Sequence, residues 1–255
     1  MLDREPRRFW YVLSALVCLC IVLIALRGRL GYYIHPRYYT FTIITSVIGT
    51  LVLFKAAISY VYTKEPTVIS YGSATELVTV FGKWLLSKGA WFVIIAIILL
   101  AWAPARPLMS GAANRRQQQA QEVTTESKQA LMQTAWFEDP ETINQISQVL
   151  SIEEGQKKLE GKEFKLTGFV RADQTGDTDI FQLSRFVVTC CAVDATPSSL
   201  RVYMKDWQSK FPVDSWVKVE GSFEALQTNR GQQLLLSGDI QAVSQPDEPY
   251  DYLSF

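Results

Sequence analysis

Histidine is almost missing from this chain: His35 is the only one in 255 residues. Any reactive site in the C-terminal half must therefore be built from thiols, carboxylates and hydroxyls. Thiols are scarce as well, with four cysteines in all. The chain has no glycine-rich phosphate loop, no HExxH pair, no Ser-His-Asp set and no internal repeat. Those absences exclude the P-loop NTPases, the zincins and the serine hydrolases. Net charge is absent too, but only as an average. Residues 1–137 carry 14 Lys/Arg against 6 Asp/Glu, net +8, and residues 138–255 carry 11 against 19, net −8. The acidic half argues against nucleic acid, whose affinity rests on neutralising phosphates.

The first half holds long apolar runs. Phe9–Leu26 is interrupted only by the hydroxyl of Ser14, Tyr39–Phe54 extends past Lys55 to Tyr62, and Ala90–Ala103 lengthens if Trp84, Leu85 and Leu86 are included. A helix that crosses a bilayer needs roughly 20 predominantly apolar residues. Three spans are expected, at about 9–26, 39–62 and 84–103, within a membrane part at 1–104. Interfacial aromatics stand at their ends: Trp10, Tyr11, Tyr38, Tyr39, Tyr60, Tyr62, Trp91 and Trp102. The first run reads as a retained helix rather than a cleaved signal, because Arg27-Gly28-Arg29 follows where a small-residue cleavage site belongs. Basic residues flanking the spans divide evenly between the two sides. The three arginines before the first helix place the N-terminus in the cytoplasm and the C-terminal half outside. Lys55 lies deep in the second run, either as a functional charge or as a snorkelling one. His35 precedes Pro36 in the loop between the first two runs, a membrane-surface position where it can meet a partner or a metal.

Residues 105–136 read as a linker or solvated stalk, since Ser110–Gln133 is rich in Gln, Ala, Ser and Thr. The loop before the third run holds a short interfacial helix at 74–80. A soluble domain follows at 137–245, with an acidic, loose tail at 246–255. Asp139-Pro140-Glu141 reads as a helix start, and Ile143, Ile146, Val149 and Leu150 give that helix one apolar face; it ends near Gly155 or runs on to Gly161. From Lys162 the period changes to two. Strands are expected at Phe164–Val170, Ile180–Cys190, Leu200–Met204, Trp216–Phe223 and Gln232–Val243, with a turn at Ala195–Ser199 and a short helix from Asp206 to Phe211. Five strands with a short connector between the third and fourth fit an OB-like barrel. Gly168 and Gly221 suit its bends.

One dipeptide in this domain carries chemistry. Cys190 and Cys191 lie in Arg185-Phe-Val-Val-Thr-Cys-Cys-Ala-Val-Asp194. Four readings are open. The pair fills space as small apolar residues. It joins Asp194 in binding a soft metal or metalloid ion, since thiolates select such ions. It is a redox pair whose vicinal disulfide would be strained and labile. It supplies a nucleophile, for which no basic histidine is at hand in the C-terminal half. Arg185 is a candidate partner for Asp194 or for another acid at the barrel mouth. Cys18 and Cys20, in the first run, read as ordinary helix residues.

The run Gly161-Lys162, Leu166-Thr-Gly-Phe-Val170, Phe181-Gln-Leu-Ser-Arg-Phe-Val-Val-Thr-Cys-Cys-Ala-Val-Asp-Ala195 and Trp216-Val-Lys-Val-Glu-Gly221 resembles the YcgQ-like family of bacterial membrane proteins. The Ile34-His-Pro-Arg37 turn is similar as well, and the resemblance covers nearly the whole chain. Val193 departs from it, standing where alanine is expected. The resemblance implies a multi-pass permease subunit of the bacterial cell membrane with a C-terminal OB-like domain and a multi-spanning permease partner, and the preferred reading is a non-enzymatic accessory protein. Relatives of that partner export trivalent organoarsenicals, which connects paired thiols with such cargo.

Overall fold

The computed structural model describes residues 5–62, 95, 106–117 and 137–252. The chain divides into two units, one formed by residues 1–30 and 36–105, the other by residues 31–35 and 106–255.

In the first unit, α1 (Glu5–Leu26) and α2 (Tyr39–Tyr62) form a helical hairpin. Gly49 permits their approach: a Cβ there would lie 3.1 Å from Cys18 Sγ. Three spans were expected, and among the described residues one helix, Pro36–Ala56, is long and apolar enough to cross a membrane. Ser14–Leu26 is a shorter apolar helix. The third run and the interfacial helix expected at 74–80 lie outside the described residues, apart from Ile95.

The second unit is the barrel. Its strands are β1 (Glu163–Ala172), β2 (Ile180–Val188), β3 (Thr196–Tyr203), β4 (Trp216–Thr228), β5 (Gly231–Val243) and β6 (Tyr250–Tyr252). They are ordered β1-β4-β5-β3-β2-β6, and β1 also pairs with β2, so five strands close on themselves. The connectivity is OB-like. Inward side chains alternate along each strand: Leu166 and Val170, Phe181 and Leu183, Leu200 and Val202, Val217 and Val219 are all buried.

The two helices immediately before β1 close one end of the core. For chain order, α3 is Ser110–Gln117, α4 is Ile143–Leu150 and α5 is Glu153–Leu159. Ile143, Ile146 and Val149 of α4 and Leu159 of α5 join the barrel core. The expected N-cap, Asp139, is not the cap. Thr142 is, because Thr142 and Gln145 form a reciprocal capping box. Asp139 instead pairs with Lys162. The helix stops at Leu150 because Ile152 turns to extended backbone and buries its side chain. A short helix, α6 (Trp207–Lys210), links β3 to β4 as expected and sinks Trp207 into the core.

Three further expectations change. Strand β3 begins at Thr196, so all of the anticipated turn at Ala195–Ser199 except Ala195 is strand. Pro197 is tolerated opposite Phe186 because β3 meets its other neighbour, β5, only at Val202. The tail is not loose: β6 pairs in parallel with β2 from Phe186↔Tyr250 to Val188↔Tyr252. The start of the stalk is not a free spacer either. Helix α3 packs on the barrel's outer face, where Ala113 is fully buried beside Phe169, Phe186 and Tyr250. Asp214 Oδ1 accepts the Ser110 N–H at its first turn, at 2.8 Å. The glutamine-rich remainder lies outside the described residues.

Gly221 and Gly238 face each other across β4 and β5. A Cβ on Gly221 would lie 2.0 Å from the Ser237 carbonyl oxygen, and backbone cannot swing aside as a flexible side chain can. Gly221→Ala should therefore lower barrel stability by about 1–3 kcal/mol, the usual cost of forced overpacking. Gly111→Ala, inside a helix where a Cβ meets nothing within 4 Å, should instead raise stability by about 0.4–1 kcal/mol. Thermal unfolding of both variants followed by circular dichroism checks the contrast.

Candidate functional site

Strand β2 was expected to run to Cys190 but ends at Val188. The cause lies a few residues downstream. Asp194 turns back and accepts the Thr189 N–H at Oδ1 (3.2 Å) and the Cys190 N–H at Oδ2 (2.7 Å). A carboxylate that takes two N–H groups removes them from any strand ladder. The Asp194 N–H donates to the Cys191 carbonyl at 3.1 Å, which closes the turn. The two cysteines therefore do not alternate across a strand as they would in β structure. Both are free thiols, 3.5 Å apart, with Cys190 exposed and Cys191 half-buried. The two Sγ atoms and a carboxylate oxygen of Asp194 all lie within 4.8 Å of one another.

The turn treats the two thiols differently. Cys191 is held below the ordinary thiol value, first by the Val193 N–H, which favours its thiolate, and then by Cys190. Cys190 is pushed up to about 12, first by its side-chain hydrogen bond to Asp194 and then by that to Cys191, both of which favour the protonated thiol. For Asp194, partial burial favours the neutral acid, but hydrogen bonds from the Cys190 side chain and from the Cys190 and Thr189 N–H groups outweigh it and hold the carboxyl low. The result is one thiol made more acidic, one made less acidic and one carboxylate held low, all on a single exposed turn.

The loop from Gly31 to His35 belongs to the same unit. Ile34 forms an antiparallel bridge with Cys191. The His35 N–H donates to the Cys190 carbonyl at 3.0 Å, and the Ala192 N–H donates to the Tyr33 carbonyl at 2.7 Å. Tyr250 and Tyr252 hydroxyls reach the carbonyls of Tyr32 and Gly31, and Gln245 Nε2 donates to the Tyr32 hydroxyl. The His35 ring lies edge-on to Tyr252 at 4.9 Å. No histidine was expected near the cysteine pair; the fold returns the chain's one histidine beside it. Spacing in the sequence gives no sign of this, because Ile34–Arg37 and the cysteines are far apart along the chain.

Arg116 was not singled out either. From α3 its Nη1 donates to the carbonyls of Ala192 (3.0 Å) and Ala195 (2.6 Å), spanning the turn that holds Asp194. Arg185 does not orient Asp194. It pairs with Asp251 on β6 at 3.1 Å and donates to the Glu248 carbonyl. The reason is register: β6 lies alongside β2 and brings Asp251 opposite Val187. Burial raises the Asp251 carboxyl, and the Arg185 charge opposes that rise. Lys55 is exposed on α2, in the other unit.

A second polar group lies on the outer face of β1–β3. Register aligns Arg171, Gln182 and Arg201 in one row and Phe169, Ser184 and Ser199 in the next. The fully buried Arg171 guanidinium donates to Ser199 Oγ and to Asn114 of α3. Burial would raise the Asp173 carboxyl, but hydrogen bonds from Thr175, Gln182 and Arg201 hold it low. Alternate polar residues in β2 and β3 were the available sign of this layer. A groove of about 390 Å³ beside it, lined by Ser147, Gln156, Ser199, Arg201 and Gln233, includes neither cysteine. Its one cation is already paired with Asp173 at 3.1 Å.

The unequal thiols set an order of reaction. Iodoacetamide labelling at increasing pH, read by peptide mass spectrometry, should modify Cys191 first. Cys190 should stay unlabelled in the same range and become reactive at lower pH in Asp194→Asn, which removes the carboxylate whose hydrogen bond and charge raise it. Equal labelling of both thiols at every pH would contradict this ordering.

Searches of curated proteins and of solved structures each found no match to the chain. The DUF1980 C-terminal domain matches residues 113–253. That match includes most of α3, both barrel-capping helices, all six strands and the cysteine turn. The chain belongs to the DUF1980 C-terminal domain family.

Proposed function

We propose that this chain is a non-enzymatic membrane accessory protein whose barrel binds a thiophilic metal or metalloid ion through Cys190, Cys191 and Asp194. One observation carries the reading: two free thiols and a carboxylate converge within 4.8 Å on one turn. Thiolates prefer soft and borderline ions, and two adjacent ones chelate. Asp194, already ionised by its backbone N–H donors, adds a hard oxygen without needing to lose a proton. The site stands on an exposed loop rather than in a substrate-sized cavity, which suits capture and hand-over of an ion.

The membrane setting is supported by the apolar helix Pro36–Ala56 and by the YcgQ-like resemblance. On this reading the chain is a multi-pass subunit of a permease in the bacterial cell membrane, with its barrel outside the cytoplasm. A second reading, a thiol-redox protein, draws on the 3.5 Å thiol contact and the split between the two thiols.

Full-length chain purified in detergent should bind Zn(II), Co(II) or a trivalent arsenical in equilibrium dialysis. Cys190→Ser combined with Cys191→Ser should weaken binding more than about 100-fold, a loss at least as large as removing an outer-shell contact. Unchanged binding would refute the site. A mass deficit of two hydrogens that reductant removes, with no ion bound, would favour the redox reading. Co-purification from native membranes with elemental analysis tests partner and ion together.

A further inference from the structure

We propose that His35 is the fourth protein donor of the Cys190–Cys191–Asp194 site, which makes it a site for a tetrahedral divalent ion of the zinc class rather than for a trivalent metalloid. The inference rests on the ion-binding reading and narrows it.

The position of His35 follows from backbone geometry. Ile34 is bridged to Cys191, and the next step of that register sets His35 opposite Cys190, as the His35 N–H to Cys190 carbonyl bond at 3.0 Å shows. That bond sets the two backbones side by side, at about the 4.7–4.9 Å by which hydrogen-bonded neighbouring segments are separated. One zinc-class ion bridges that span, because its bonds to imidazole nitrogen and thiolate sulfur are about 2.0–2.1 and 2.3 Å. The backbone bond fixes the His35 Cα whichever rotamer the ring adopts. Its ring now rests edge-on against Tyr252 at 4.9 Å. The ring in that position is not among the converged donors, so ligation requires it to turn away from Tyr252 about its side-chain torsions.

The anchoring of the loop is the second argument. Bringing residues 31–35 onto the barrel closes a long stretch of chain, which costs conformational entropy. Five contacts offset that cost: the two backbone bonds to the cysteine turn, and those from Gln245, Tyr250 and Tyr252. Four of them engage Gly31, Tyr32 and Tyr33, just before the only histidine in the protein, and the fifth is made by the N–H of His35 itself.

The donor set then selects the ion. Once Cys190 gives up its proton to solvent on binding, two thiolates, one imidazole and one carboxylate oxygen are ligands that zinc accepts together in four-coordinate sites. Imidazole and carboxylate add little for a trivalent arsenical, which favours thiolates.

Cobalt(II) titration of the full-length chain in detergent tests the proposal. Wild type should show thiolate-to-cobalt charge transfer and the intense visible bands of tetrahedral cobalt. His35→Ala should keep the charge transfer, lose most of the tetrahedral band intensity and bind about 10–100-fold more weakly, with its metal-free thermal unfolding unchanged. His35→Cys should restore the tetrahedral bands and strengthen the charge transfer, which no purely structural role for His35 would produce. Identical spectra and affinity in wild type and His35→Ala would overturn this inference and leave the thiol site standing. Binding of phenylarsine oxide by a chain that ignores Co(II) and Zn(II) would also overturn it and leave the thiol site standing. Binding of no ion at all would overturn both.

Discussion

The cysteine turn depends on one carboxylate. Asp194 takes the N–H groups of Thr189 and Cys190 that an extended β2 would present to a neighbour. Without that capture the strand would run on and send the two thiols to opposite faces. With it, the thiols come to 3.5 Å and the acid joins them. The same bonds hold the Asp194 carboxyl low, and its hydrogen bond to the Cys190 thiol, with the Val193 N–H on Cys191, separates the two thiols in acidity. One side chain thus sets strand length, donor convergence and protonation.

A turn of this kind is soft unless something holds it from outside. Arg116 spans it from α3, bonding carbonyls on either side of Asp194. The Gly31–His35 loop holds its other edge by a β-bridge. Helix α3 is held in turn by apolar packing of Ala113 and by the Asp214 contact. The site is therefore built from three stretches of chain, and only one of them lies in the strand core of the barrel. Because residues 31–35 sit between α1 and α2 in the sequence, the hairpin's connection and the cysteine turn are parts of one structural unit.

The barrel itself was largely legible. Period-two patterning placed β1, β2, β4 and β5 close to their observed positions, because burying one face of a strand demands alternation whatever the neighbours are. The misplacements share a cause. Thr196–Ser199, with its proline, carries turn residues, yet pairing with β2 makes it strand. The acidic tail has little apolar content, yet Tyr250 fills a slot against Phe186 and Asp251 meets Arg185. Asp139-Pro140 had the form of a helix start, but Thr142 and Gln145 formed two reciprocal bonds where Asp139 formed none. In each case a contact from elsewhere in the chain outweighed local preference.

The sequence by itself determined which chemistry is possible. It restricted the C-terminal half to thiols, acids and hydroxyls, set Cys190, Cys191 and Asp194 within one turn's length, and specified a five-stranded barrel through its alternation. Tertiary structure decided the company those residues keep. It turned Arg185 away from Asp194 toward Asp251, set Arg116 over the turn, and brought His35 back beside Cys190. The physical reason is range. Alternation and turn formation act over a few residues, whereas the contacts of His35 and Arg116 exist only after the barrel has closed and brought distant segments to the same edge.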